Sequence, residues 1–181
     1  VIGIAAVIII TSVGNGAQSL IVNQIKNIGS NIVGILPGAS EEDGPPAAAM
    51  GIVITTLTNE DVQSLINKKN VSHVVAVSAY VRGVSTVHWQ SRSIDTNFVG
   101  SNYSYPEVED SDVAFGRFFS KEEEQGSAKV AVLGDQVFND LFSGSDPIDQ
   151  IIKIKKDAFR VIGVMKHRGV TGFQNPDNQI F

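Results

Sequence analysis

Val1–Ile10 reads VIGIAAVIII, a run without a charge that breaks abruptly into Thr11, Ser12, Val13 and the turn-forming Gly14, Asn15 and Gly16. How this edge is read decides what the rest of the chain is. Ten apolar residues fall short of the roughly 20 that a helix needs to cross a bilayer, and no basic segment precedes them as in a signal peptide. One reading makes residues 1–13 the outer end of a membrane helix. A first residue of Val rather than Met fits that reading, with the chain expected to be a piece of a longer one. The other reading is a buried parallel strand, because Val and Ile suit strands and a short apolar run carries no periodicity that separates the two. It comes with chemistry attached, since strand, VGNGAQS and helix imitate a phosphate-cradling loop. Gly14 and Gly16 supply two glycines, but Ser19 stands where a third would let the helix pack closely, and no acidic residue follows at the spacing that reads a ribose. A soluble α/β nucleotide-binding enzyme using Gly14 and Gly16 is therefore the weaker alternative.

Composition narrows the classes further. The 181 residues are 43% hydrophobic, enough to bury a core, so a wholly disordered chain is excluded. The length suits one domain or two small lobes sharing a border. Asp and Glu outnumber Lys and Arg by 19 to 14, giving a formal charge of -5. Polyanion binding depends on concentrated Lys and Arg, so nucleic acid is not an expected partner. No cysteine is present, which removes disulfides, thiolate metal sites and Cys nucleophiles.

Working outward from the first turn, Ala17, Leu20, Ile21, Ile25 and Ile28 lie at helical spacing, and Gly29 offers a stop. Asn31–Leu36 then predicts a short strand closed by Pro37 and Gly38, Ser40–Pro46 a loop, and Gly51–Thr56 another strand. Thr58 with Asp61 predicts a capping box, and the Val62, Leu65, Ile66 face carries the helix to about Lys69. A strand is expected over Val71–Val81. Helix then strand, twice, makes a split β-α-β pattern. Val84, Thr86, His88 and Ile94, Thr96, Phe98 alternate as in half-buried strands, so Arg82–Ser101 reads as an extended hairpin. Pro106 begins a helical turn, and Ser120 with Glu123 caps another. Lys129–Leu133 reads as a buried strand and Val137–Phe142 as a short helix broken by Asp146 and Pro147. A final pair of strands is expected around Ile152–Ile154 and Phe159–Met165. The fold class is α+β: a split β-α-β first lobe over residues 14–98 and a smaller, more irregular second lobe over 99–181.

A catalytic constellation is not visible. His73, His88 and His167 are scattered, with no spacing that sets two imidazoles on one helical face. His88 and Trp89 fall on opposite faces of a strand. Gly83, Val84, Ser85 and Thr86 lack the second glycine of a nucleophile elbow. Glu107, Glu109, Asp110 and Asp112 lack the glycine and terminal Glu of a calcium loop, and read as a solvated face. No metal, no cofactor and no catalytic residue is expected. Arg117, Phe118 and Phe119 are the candidate partner-contact residues; the reading preferred for them is structural, with the guanidinium anchoring a loop and the two rings packing inward.

The order of these pieces resembles the extracytoplasmic core domain of MacB-type ABC transporter permeases, a family that includes lipoprotein-releasing and FtsX-like permeases. The resemblance spans nearly the whole chain. It rests on Thr11, Ser12 and Gly14–Gln18 past the apolar run, on Gly29, Asn31, Pro37 and Gly38, and on Leu57, Thr58 and Asp61. The later half adds Gly116–Phe119 (GRFF), Val130–Gly134 (VAVLG), Leu141 and Phe142, Asp146–Ile148 (DPI), and Phe159, Val161–Val164 and Gly169. Two positions depart from the pattern: Ser143 separates Phe142 from Gly144, and Asp149 stands where glycine usually follows DPI. The resemblance implies a non-enzymatic domain outside the cell membrane, inserted between the first and second membrane helices of a permease and relaying ATP-driven motion. The implied partners are an ABC ATPase subunit or domain, a second permease copy in a homodimer, the membrane through the flanking helices, and a membrane-fusion adaptor or cargo. An FtsX-like regulator of a cell-wall hydrolase is the second alternative.

Overall fold

The computed structural model describes residues 32–38, 56–170 and 175–181. Its longest pairing is an antiparallel hairpin of β1 (Val81–Trp89) and β2 (Arg92–Gly100), in register from Val81 opposite Gly100 to Trp89 opposite Arg92. Gln90, at φ 53, turns the chain between them. The alternation anticipated for Arg82–Ser101 is present. On β1 the inward set is Gly83, Ser85, Val87 and Trp89, while Val84, Thr86 and His88 face out. On β2 the inward set includes Ile94, Thr96 and Phe98. Side chains on a strand point to alternate faces, so this pairing places Phe98 directly over Gly83.

Seven further elements follow in the second half: α2 (Tyr105–Val108), β3 (Val113–Gly116), α3 (Lys121–Gln125), β4 (Val130–Leu133), α4 (Asp135–Phe142) and the hairpin of β5 (Ile151–Ile154) and β6 (Asp157–Met165). A 3-10 turn, Pro176–Asn178, leads into β7 (Gln179–Ile180). The sheet order is β3-β6-β4-β7-β2-β1-β5, and β5 also pairs with β6. The sheet therefore closes on itself as a small ring running β1, β2, β7, β4, β6, β5 and back to β1, with β3 attached outside. Closure removes most free edges, which are otherwise templates for aggregation.

The strand faces then separate two cores. Ala131 and Leu133 of β4 join Val87, Ile152, Val161 and Ile180 inside the ring, where Val137, Leu141 and Phe142 of α4 pack against them. Val132, between them on β4, points the other way and joins Val99, Tyr105, Ile162, Met165 and Phe181 in the outer cluster. Removing one of the fully buried leucines, Leu133 or Leu141, would cost about 2–5 kcal/mol.

The anticipated helix after Thr58 is α1 (Asn59–Ile66). The Asp61 carboxylate accepts from the Thr58 N–H at 2.7 Å and from its hydroxyl at 2.9 Å. The helix stops short of Lys69 because Asn67 leaves helical geometry at ψ 110, and the Asn70 amide donates to the Ser64 carbonyl at 3.0 Å. Two anticipated strands are absent among the described residues. Residues 32–36 are irregular, with Val33 85% exposed, and pair with no described strand. Residues 74–80 are also irregular, and the Val77 carbonyl is satisfied by the Asn102 amide at 2.8 Å and the Ser104 hydroxyl at 2.6 Å rather than by a ladder. An apolar run reads as a buried strand only if both faces are covered, and Val75 stays 88% exposed. β3 and β7 were not anticipated. The first anticipated helix, the strand at Gly51–Thr56 save Thr56, and the Gly14–Gly16 loop lie outside the described residues. β2 runs through residues 98 and 99, the position at which the sequence reading divides its two lobes.

Both departures from the family pattern sit in left-handed backbone, Ser143 at φ 49 and Asp149 at φ 61. Glycine adopts this region without steric cost. Ser143 has a compensation: Arg92 donates to its hydroxyl and, at 3.4 Å, to the Leu141 carbonyl at the end of α4. Asp149 has only an exposed contact to Arg160 at 3.3 Å, worth little in water. Asp149→Gly should therefore leave the urea midpoint unchanged or raise stability by up to about 1 kcal/mol. Ser143→Gly should gain less, because Arg92 loses one of its two acceptors. A lowered midpoint for Asp149→Gly would show that the left-handed turn is not strained.

Candidate functional site

GRFF begins where β3 ends. Gly116 has φ 71, and an added Cβ there would lie 2.2 Å from the Ile162 carbonyl oxygen; a Cβ on Gly163 would lie 2.3 Å from the Arg117 carbonyl oxygen. Two glycines facing each other let the GRFF backbone press onto β6, where the Arg117 N–H donates to the Ile162 carbonyl at 3.0 Å. That close approach throws the Arg117 side chain outward and turns Phe118 and Phe119 toward the outer cluster.

The Arg117 guanidinium forks onto Glu123, Nη1 to Oε2 at 2.6 Å and Nη2 to Oε1 at 2.7 Å. Glu123 is also the third residue of α3, where Oε2 accepts the Ser120 N–H at 3.0 Å and the Glu123 N–H donates to the Ser120 hydroxyl at 3.3 Å. One carboxylate thus closes a capping box and holds the arginine, two roles that favour its charged form. The Arg117 guanidinium, followed by the Ser120 backbone N–H, draws the Glu123 pKa down to about 2, and the carboxylate in turn holds the Arg117 pKa above its ordinary value.

Phe118 stacks on Tyr105, with ring centroids 5.7 Å apart and planes 15° from parallel, and touches Phe119 at 4.2 Å. Burial pushes the Tyr105 phenol up to about 12. Burial also raises Tyr80 above the ordinary range; its hydroxyl donates to Glu109 at 2.8 Å. The structure thus brings Arg117, Phe118 and Phe119 together with α3 and Tyr105, the rings half-buried and the guanidinium more than half exposed.

The remaining candidates do not assemble into a catalytic group. His73 is exposed at φ 75, and His88 is exposed on the outer face of β1 while Trp89 turns in to meet Phe142 at 4.2 Å. Among the acidic residues, Glu109 bonds Tyr80 and Asp112 lies 3.7 Å from Lys166. Among the described residues, no cluster of three His, Asp or Glu side chains could hold a metal ion. Sequence reading passed over His167, whose Nδ1 lies 2.9 Å from Asp177 and 3.3 Å from Asp135. Buried Asp177 also accepts the Arg168 and Gly169 N–H groups at 3.0 and 2.8 Å. The imidazole sits between the two carboxylates and ties the exit of β6 to the start of α4. Residues 10 and 32 positions apart in sequence leave no local signal of such a contact.

The family described as MacB-like periplasmic core domain matches residues 1–181. The chain belongs to that family. A macrolide export ATP-binding/permease protein MacB from Chlorobaculum tepidum is 33% identical over 181 residues, covering 99% of this chain and 27% of that protein. A pyoverdine export ATP-binding/permease protein PvdT from Pseudomonas aeruginosa is 32% identical over 181 residues, again 99% of this chain, and 26% of its own length. The crystal structure of the periplasmic region of MacB from Actinobacillus actinomycetemcomitans superposes with a TM-score of 0.61 at 21% identity, over 70% of this chain and 55% of that one. The MacB-like resemblance and the α+β class read from sequence are both borne out, and this chain spans about a quarter of the length of these export proteins. A periplasmic core domain stands on the extracytoplasmic side of a membrane protein. No helix among the described residues is long and apolar enough to cross a membrane.

The Arg117–Glu123 fork carries a pH signature in this MacB-like domain. A carboxyl whose folded pKa is depressed contributes stability above its unfolded value and loses it as pH falls through the folded value. Here the window runs from about pH 4.5 down to about 2. Because Arg117 is 54% exposed, solvent screening limits the contribution to about 1 kcal/mol. Glu123→Gln should be the less stable protein at pH 7 by that amount and should nearly rejoin the parent at pH 2.5 in urea titrations. A difference that stays constant across this range would show that the fork does not act through charge.

Proposed function

We propose that this domain is the extracytoplasmic portion of an ABC exporter permease, inserted between its first two membrane helices, and that it relays ATP-driven rearrangement of those helices. The single observation that carries this reading is the family match over residues 1–181. ATP hydrolysis belongs to a cytoplasmic part of the transporter outside this chain, consistent with the ATP-binding/permease names of the relatives. Two relatives named for different cargo, macrolide and pyoverdine, are almost equally identical to this chain. That similarity argues that the domain serves a step common to both rather than selecting cargo. A sheet closed into a ring with its interior packed suits a rigid lever, since packed cores move as units between discrete arrangements.

The working assembly is a homodimer of permeases, with an adaptor protein meeting the outer domains. At the GRFF segment such a partner meets the exposed face of Arg117 and the edges of Phe118 and Phe119; aromatic and arginine side chains together make effective interface anchors.

Relay of motion has a direct readout. In the full-length protein reconstituted as a dimer, spin labels at Ser93→Cys, on the outer face of β2, report the separation between the two copies of the domain. The distance distribution should shift between nucleotide-free and vanadate-trapped states. An unchanged distribution, with ATP hydrolysis intact, would sink the relay.

A further inference from the structure

The ends of β2, β4 and β6 remote from α4 surround a cavity of about 410 Å³. Mouths of β-barrels are common ligand sites, and pockets for small molecules span roughly 300–1,000 Å³. The walls carry the rings of Phe98, Phe119, Phe159 and Phe181, with Val130 and Ile154 between them. These residues come from strands and loops far apart in sequence, and ring closure is what brings them together.

The rim carries Glu123, Glu124, Asp157 and Lys155, and two of these four charges are matched by ion pairs. Glu123 is held by Arg117, and Asp157 takes Lys129 at 2.5 Å. Lys155 is different. At the β5–β6 turn it lines the cavity, its ammonium stands 5.0 Å over the Phe98 ring, and it forms no ion pair among the described residues. Lys156 beside it is exposed and likewise forms no ion pair among the described residues. On the opposite wall, Glu124 already accepts the Tyr103 N–H at 2.8 Å. The cavity thus joins a hydrocarbon well to one lysine ammonium, which stands over an aromatic face and has no ion-pair partner among the described residues.

We propose that this cavity binds a free single-chain anionic amphiphile, with the hydrocarbon in the phenylalanine well and the acid headgroup on Lys155. The apolar wall removes the chain from water, and a charge-assisted hydrogen bond from the ammonium fixes the head. The site shares Phe119 with the GRFF segment but does not depend on the relay of motion.

The test is a titration of the full chain with cis-parinarate, followed by fluorescence at neutral pH, with dodecanoate and dodecylammonium as competitors. Saturable binding displaced by dodecanoate, weakened at least tenfold by Lys155→Glu and abolished by Ala128→Trp, which fills the well, is the expected result. Circular dichroism checks that the variants fold; if Ala128→Trp does not, Ser101→Trp on another wall takes its place. Preferential displacement by dodecylammonium, lost in Glu124→Gln, would overturn the proposal in favour of a cationic ligand. No saturable binding, or binding indifferent to the filled well, would overturn it outright. Lys155-dependent cosedimentation with phosphatidylglycerol vesicles without dodecanoate competition would likewise overturn it, because it would assign Lys155 to a membrane surface.

Discussion

Strand β6 has to satisfy three neighbours with two edges. One edge is taken by β4, in parallel from Arg160 to Val164. The other is divided: β5 pairs as far as Arg160, and β3 takes over from Gly163 to Met165. The handover is possible because the chain carries glycine at 163 and at 116, so the backbones meet without side chains between them. Everything downstream follows from that contact. It seats GRFF, which sends Arg117 to Glu123 and so positions α3 along one wall of the cavity.

The same strand separates the two cores. Val161 and Val164 look into the ring while Ile162 and Met165 look out, an arrangement that strict alternation would not give. The register between β4 and β6 shifts between Ala131 and Val132, and such a bulge re-aims the residues that follow it. Residues Val161–Met165 are consequently buried in an unbroken run, as expected of a strand covered on both faces.

Legibility in sequence followed the range of the interactions. The capping boxes at Thr58 and Ser120, the helical turn at Pro106, the hairpin and α4 rest on contacts between near neighbours, and each was visible. The strands read at residues 31–36 and 71–81 failed because no described strand pairs with residues 32–36 or 74–80, Val33 and Val75 stay exposed and side chains take the Val77 carbonyl, conditions the local pattern does not encode. β7 was missed for the converse reason: two residues are too short for any period, and its strand character comes from pairing with β2 and β4. At the candidate site, the structural role preferred for Arg117 and the phenylalanines was legible from residue type. The partner of the guanidinium was half legible, since Glu123 had been placed in a capping box but not connected to Arg117. The cavity was invisible, because Phe98, Phe119, Phe159 and Phe181 share no spacing and meet only through ring closure.

Closure also orders events in time. The long hairpin is made before the strands that flank it on either side, β7 beside β2 and β5 beside β1. Pairings between residues this distant form slowly, because loop closure precedes any reward. Until Gln179 and Ile180 have cleared the ribosome, the free edge of β2 and the apolar interior beneath it stay open to other chains. A nascent domain of this design carries an unprotected edge until β7 is in place.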